Sequence, residues 1–120
     1  MKRLSVLGGV AALACLMAAP VAAQPQTVKG EVIDVTCYTK DKTSKGADHA
    51  DCALSCAKKG GKMGVLADDG TVYVITGEYT ADKNKKLLPY VAKSVAATGN
   101  VAEADGQKTI AATKIEAATK

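Results

Sequence analysis

The chain lacks the residues on which large cores and nucleic-acid surfaces depend. It contains no Phe, no Trp, four Tyr and one His, and no Arg follows Arg3. Without aromatic bulk, we expect a core of Val, Ile, Leu and Ala with a modest intrinsic stability. Phosphate and base recognition relies on guanidinium groups and stacked aromatic rings, so the composition argues against nucleic-acid binding.

The N-terminus has the pattern of an export signal. Lys2 and Arg3 precede an apolar run over residues 4–17, and a segment of small residues ends at Ala23. The run is shorter than the roughly 20 residues that span a membrane. We therefore predict a signal peptide over residues 1–23 and a periplasmic or secreted protein that leaves the membrane after cleavage. Cleavage before Cys15 as a lipoprotein is the alternative, although the residues before it match that pattern imperfectly.

Residues 24–120 are expected to form a single small domain. Cleavage removes Lys2 and Arg3 and lowers the formal net charge from +4 to +2. A domain of this size buries a limited fraction of its surface and often needs a disulfide or a metal ion for stability.

Alternating and β-branched segments predict five strands. Asp-Gly pairs within residues 68–70 and 103–107 predict two hairpin turns. Gly30 suggests a bulge or a sharp bend in the first strand. The strands are predicted over residues 27–38, 63–67, 71–76, 94–102 and 108–115.

A short helix is predicted over residues 48–59. Asp48 is a suitable N-cap, and Gly60 or Gly61 can take the left-handed conformation that ends a helix. A helical turn is also expected near Pro89. The order of these strands and helices along the chain predicts a mainly β protein with short helices (α+β). We expect a five-stranded OB-like Greek-key barrel with a helix inserted after the first strand. A small open β-sheet sandwich is the alternative.

The inserted segment carries the chemically distinctive residues. Loss of Cys15 with the signal peptide leaves three cysteines, Cys37, Cys52 and Cys56, an odd number for an exported protein. His49, the one histidine, precedes Cys52 by three residues and Cys56 by seven, which would place all three on one helical stripe. Cys37, at the end of the first strand, would close over that stripe as a fourth ligand.

Three thiolates and one imidazole are a recognised tetrahedral set for structural zinc, and soft donors also suit Cu(I). We therefore expect Cys37, His49, Cys52 and Cys56 to bind one zinc or copper ion in a structural or metal-handling role. A closed set leaves no open position for hydrolysis, which argues against an enzyme.

Two alternatives remain at this point. Cys37 could form a disulfide with Cys52 or Cys56, which would give a disulfide-stapled OB-like binding module with one spare thiol. A Cys52–Cys56 disulfide is disfavoured, because cysteines four residues apart on a helix seldom pair. The same thiols could instead perform redox chemistry, although the Cys-x-x-Cys spacing of thioredoxins is missing.

The whole pattern resembles a group of small exported bacterial proteins with OB-like barrels and no assigned activity. Its signature is Gly30-x-Val32-x-Asp34-x-x-Cys37, followed by His49-x-x-Cys52 and Cys56. The match continues through residues 69–73 and 95–101, whereas Lys62-Met63 stands where a proline-containing turn is expected. The resemblance implies the fold and a Cys/His site, and it implies no substrate or protein partner.

Overall fold

The computed structural model describes residues 25–118, so the predicted signal peptide and Cys15 lie outside the described residues. Three short 3-10 turns, Ala47–His49, Glu78–Thr80 and Leu88–Tyr90, connect the main elements. The strands are β1 Pro25–Asp34, β2 Met63–Ala67, β3 Val72–Thr76, β4 Ser94–Ala104 and β5 Gln107–Ala117, and the helical segments are α1 Val35–Lys40, α2 Ala50–Lys58 and α3 Ala81–Asn84.

The five strands form one continuous set of pairings in the order β1-β2-β3-β5-β4, and β4 pairs back with β1. All pairs are antiparallel except β3–β5, which is parallel and aligns Tyr73 with Lys108 and Ile75 with Ile110. The predicted class, mainly β with short helices, is confirmed. The helices α1 and α2 follow the first strand, as the prediction of an insertion at that point requires.

The core is aliphatic, as the lack of Phe and Trp requires. Val32, Val65, Val95 and Ile110 are fully buried in one cluster. A second cluster joins Ile33, Leu66 and Tyr38. Because neighbouring strand residues point to opposite faces, Val32 and Ile33 place the two clusters on the two sides of β1.

Both predicted hairpins are present. The second turns through Asp105 and Gly106, whose φ angles of 52° and 74° are the positive values that a two-residue turn of this kind needs. The one register shift of this hairpin lies at Thr98/Gly99. At Gly30 the pairing is regular, so the bulge suggested there is wrong: a Cβ on Gly30 would lie 2.1 Å from the Leu66 carbonyl oxygen, and glycine permits this close backbone approach.

The first strand is shorter than predicted. It ends at Asp34, and Val35–Lys40 forms the helix α1, so Cys37 lies on a helix and not at the end of a strand. The Asp34 side chain accepts hydrogen bonds from the backbone N–H groups of Thr36 and Cys37, at 2.9 and 3.2 Å. This N-cap starts the helix in spite of the β-branched residues that follow it.

The second helix begins later than predicted. Asp48 lies in a 3-10 turn and makes no capping hydrogen bond, and the residue before α2 is His49, with φ −105° and ψ 5°. The predicted N-cap at Asp48 is therefore wrong. The predicted stop is confirmed, because Gly60 has φ 84° and donates its N–H to the Ala57 carbonyl oxygen.

Among residues 25–118, no helix has the length and apolar character that crossing a membrane demands.

Candidate metal centre

Three thiols from two helices meet at one point. The Sγ atoms of Cys37, on α1, and of Cys52 and Cys56, on α2, all lie within 4.8 Å of one another. All three cysteines are unpaired in the part of the chain that the structure describes. Cys52 is exposed and the other two are half-buried, so the site is open to solvent on one side.

The helix α1 is fixed to the sheet by its two buried side chains, Val35 and Tyr38. Tyr38 packs with Ile33 and Leu66 on one side of the sheet, and Lys42 lies over its ring at 4.5 Å. Because residues in a helix advance by 100° each, anchoring Val35 and Tyr38 leaves Cys37, between them in sequence, turned away from this cluster.

The helix α2 presents two parallel rows of small side chains. Ala53 and Ala57, one turn apart, are buried against the main core. Cys52 and Cys56 have the same spacing and precede these alanines by one residue, so they form the neighbouring row. The alanines let α2 approach the sheet closely, and this approach directs the cysteine row towards α1.

The far end of α2 is held by a buried amide. The Nδ2 atom of Asn84 donates hydrogen bonds to the carbonyl oxygens of Ala57 and Gly61, at 2.9 and 3.0 Å. Asn84 is only 2% exposed and has φ 61°. It therefore adds a second donor to the Ala57 carbonyl, which also accepts the N–H of Gly60, and a donor to the Gly61 carbonyl just after the helix, and it positions the helix that carries two of the three thiols.

The Asp34 carboxylate is the charged group with the largest influence on the Cys37 and Cys56 thiols. Its Oδ2 atom accepts a hydrogen bond from the Cys37 thiol at 3.6 Å. The negative charge of Asp34 is the main reason why the pKa of Cys37 is raised. A hydrogen bond to the same carboxylate, with burial second, raises the pKa of Cys56 to about 12. Without a cation, these two cysteines are therefore neutral thiols near pH 7.

His49 is not part of this group. The potential metal ligands that converge are Cys37, Cys52 and Cys56. His49 is half-buried and lines a shallow depression with Ser44 and Ala92. The predicted stripe required His49 in helical conformation, and its non-helical backbone before Ala50 removes it from the row of cysteines.

Sequence reasoning overlooked Asp34 as a site residue. The sequence pattern predicts a strand residue within the Gly30–Cys37 signature, whereas the structure places the Asp34 carboxylate, 4% exposed, against the Cys37 thiol. The one signal available is that Asp is a preferred N-cap residue, and the β-branched Val35 and Thr36 that follow it outweigh this signal in favour of a strand.

A separate open cleft of about 450 Å³ lies beside β1 and β4. Its lining mixes Lys29 and Lys45 with Glu31 and Asp68, and includes no cysteine. The backbone N–H of Gly46 donates a hydrogen bond to the Glu31 carboxylate at 2.9 Å. This balanced lining does not indicate a particular ligand.

Comparison of the chain with protein-family models, with curated proteins and with solved structures gives no match in any of the three. The resemblance to small exported OB-like proteins therefore remains a prediction from the motif, and the function has to be argued from the site.

Proposed function

We propose that this protein binds one metal ion through Cys37, Cys52 and Cys56. The observation that carries the proposal is the meeting of three sulfur atoms within 4.8 Å, although Cys37 is on a different helix from the other two. In a tetrahedral zinc site with Zn–S bonds of about 2.3 Å, neighbouring sulfurs lie about 3.8 Å apart. Small side-chain rotations would bring these three thiols to that spacing.

The donor chemistry selects the metal class. Thiolates favour Zn²⁺ and Cu(I), whereas Ca²⁺ and Mg²⁺ require oxygen ligands. Bound metal would join α1 to α2 and stabilise a segment of short helices, which supports a structural or metal-handling role without catalysis. The N-terminal pattern supports export to the periplasm or beyond, where a small domain with little aromatic core benefits from such a link.

We also propose that the sheet is an OB-like Greek-key barrel. The strand order β1-β2-β3-β5-β4, the return pairing of β4 with β1 and the parallel β3–β5 pair support this interpretation. It agrees with the element order that the sequence predicts. Binding by the sheet itself is not needed for the metal proposal.

A thiol redox or disulfide-stapled protein is the second candidate. The same proximity that suits a metal would allow a disulfide between Cys37 and either Cys52 or Cys56. Such a bond would also link α1 to α2, and it would leave one thiol. The two candidates therefore differ in the number of thiols and in the presence of metal.

The test is a metal titration of the exported protein after reduction and chelation under anaerobic conditions. We expect one equivalent of Zn²⁺ or Cu(I) to bind, and we expect Cys37→Ser, Cys52→Ser and Cys56→Ser each to weaken binding by at least about 10-fold through loss of a ligand. Ser55→Ala is the matched control, because Ser55 is exposed on the same helix between the cysteines. Failure to bind either metal, or binding that none of the three variants weakens, would reject the proposal.

A further inference from the structure

The two oxygens of the Asp34 carboxylate have different surroundings. Oδ1 accepts the backbone N–H groups of Thr36 and Cys37 and so caps α1. Oδ2 faces the thiols and accepts the hydrogen of Cys37 Sγ at 3.6 Å. One oxygen thus caps α1, and the other remains available as a metal ligand between α1 and α2.

The carboxylate is buried without a cationic partner. Asp34 is 4% exposed. Within residues 25–118, the ion pairs are Lys86–Glu78 and Lys114–Glu116, both on the surface and neither involving Asp34. Buried carboxylates are normally paired with a cation or coordinate a metal, because desolvation of an isolated charge is costly. Oδ2 contacts the Cys37 thiol, which becomes anionic when it binds a metal.

The distances also fit a shared metal ion. With Zn–S of about 2.3 Å and Zn–O of about 2.0 Å, a sulfur and an oxygen in one tetrahedron are about 3.5 Å apart. The observed Cys37 Sγ to Asp34 Oδ2 distance is 3.6 Å. Asp34 Oδ2 therefore already stands at the separation from Cys37 Sγ that two ligands on one ion require. Its carboxylate does not lie within 4.8 Å of all three Sγ atoms, so side-chain rotations around a bound ion would have to bring it to the other thiols.

We propose that Asp34 Oδ2, and not His49, is the fourth ligand of the metal site, which makes it a Cys3Asp site for Zn²⁺. This inference rests on the proposed metal binding by the three cysteines and adds its last ligand. A carboxylate oxygen is a hard donor, so the set favours divalent zinc over Cu(I), which prefers sulfur. Zinc accepts carboxylate ligands alongside thiolates in the same tetrahedral geometry.

The experiment uses two substitutions that keep the helix cap. Asn and Ser are N-cap residues as good as Asp, so Asp34→Asn and Asp34→Ser should retain α1 while removing the charged oxygen. Asp69→Asn is the matched control, because Asp69 also caps a turn, through the N–H of Thr71 at 2.9 Å, and lies on the surface in the β2–β3 turn. His49→Ala tests the competing ligand directly.

Zinc affinity is measured by chelator competition, and X-ray absorption of the zinc-loaded wild-type protein reports the ligand types. We expect three sulfurs and one oxygen without imidazole scattering. Both Asp34 variants should bind zinc at least about 10-fold more weakly, and the Asp69 and His49 variants should bind it as tightly as wild type, because neither side chain belongs to the group of converging thiols. Circular dichroism checks that the Asp34 variants fold.

The outcomes separate this inference from the function on which it rests. Three sulfurs with imidazole scattering, and weak binding by His49→Ala alone, would overturn Asp34 as ligand and leave metal binding by the cysteines intact. Unchanged affinity in both Asp34 variants would overturn it as well. A wild-type protein that binds no zinc would reject both proposals together.

Discussion

The β4–β5 hairpin and the α1–α2 segment are stabilised in different ways. The hairpin has two strands of 11 residues and contributes Val95, Ala97, Ile110 and Ile115 to the main core. The helices have six and nine residues, with two buried side chains each. Helices this short are unstable in isolation, because the free-energy cost of initiating a helix exceeds the gain from the hydrogen bonds of a few turns.

This difference indicates where a bound metal would contribute most to the stability of the fold. Burial of aliphatic side chains is sufficient to hold the hairpin. In the α1–α2 segment, the contacts are Val35 and Tyr38 on α1, two small alanines on α2, the Asp34 cap and the Asn84 amide, so a metal bound between the helices would add a direct link between two short helices. The following predictions test this comparison, beginning with the largest expected effect.

Substitution in the hairpin core should cause the largest loss of stability. Ile110 is fully buried, and Ile110→Ala removes three carbons and leaves a cavity, so we expect the free energy of unfolding to fall by about 2–5 kcal/mol. Lys114→Ala on the same strand is the control: its side chain is 64% exposed, so we expect a change below about 1 kcal/mol. Urea unfolding of both variants measures this, and a loss for Ile110→Ala no larger than the control would contradict the account.

Removal of the Asn84 amide should have a smaller effect, centred on α2. Asn84→Ala removes the donor to the Gly61 carbonyl oxygen and one of the donors to the Ala57 carbonyl oxygen, and we expect a loss of about 1–3 kcal/mol. Asn84→Gly loses the same bonds but accepts φ 61° without strain, so it should be the less destabilising of the two. Because α2 carries two thiols, both variants should also weaken zinc binding. Equal affinity for zinc in wild type and variants would show that Asn84 does not position the site.

Chelation of the metal should affect the two regions unequally. Amide hydrogen exchange measured with and without zinc should become faster in residues 35–58 after chelation, because local opening there no longer has to release the ion. Residues 94–117 should keep their protection. Equal acceleration in both regions would mean that the site and the sheet open as a single unit.

The smallest expected effect is a pH dependence of the metal-free protein. The pKa of Cys56 is raised from 9.0 to about 12, so the native state favours its protonated form. The resulting stability is complete below pH 9 and is lost as the pH rises towards 12. Urea midpoints measured at pH 8, 10 and 11 should therefore fall in the metal-free protein. The urea midpoint should fall less in metal-free Asp34→Asn than in the metal-free wild type. An equal fall in the two proteins would show that Asp34 does not cause the pH dependence.

The sheet was predictable because its signals are local. The bounds of β2 agree with the prediction, and both turns contain the Asp-Gly pairs that favour positive φ. The alternation of buried and exposed residues in β5 was harder to interpret. Ile110 and Ala112 are buried, so position 114 is expected to be buried next, but the register shift opposite Gly99 makes Ile115 the next buried residue.

The site was predictable only in part. The proximity of the three cysteines was predictable, because their odd number and the four-residue spacing of Cys52 and Cys56 are visible in the sequence, and their role as metal ligands stays a prediction. The α1 helix was missed because Val35, Thr36 and Tyr38 favour strands, and its capping by Asp34 depends on a contact that no periodicity reveals. The expected stripe with His49 depended on a helix starting two residues earlier than α2 does. Zinc or copper, periplasmic location and signal cleavage stay predictions.

Metal binding by the three cysteines is tested most directly on wild-type protein isolated from the periplasm without metal-affinity purification. Its metal content and its free thiols are measured before and after addition of a chelator. The account predicts one equivalent of zinc, with three thiols that are protected until the chelator removes the ion. Protein without metal that has a single titratable thiol would contradict it, and would identify a disulfide between α1 and α2 in place of the metal.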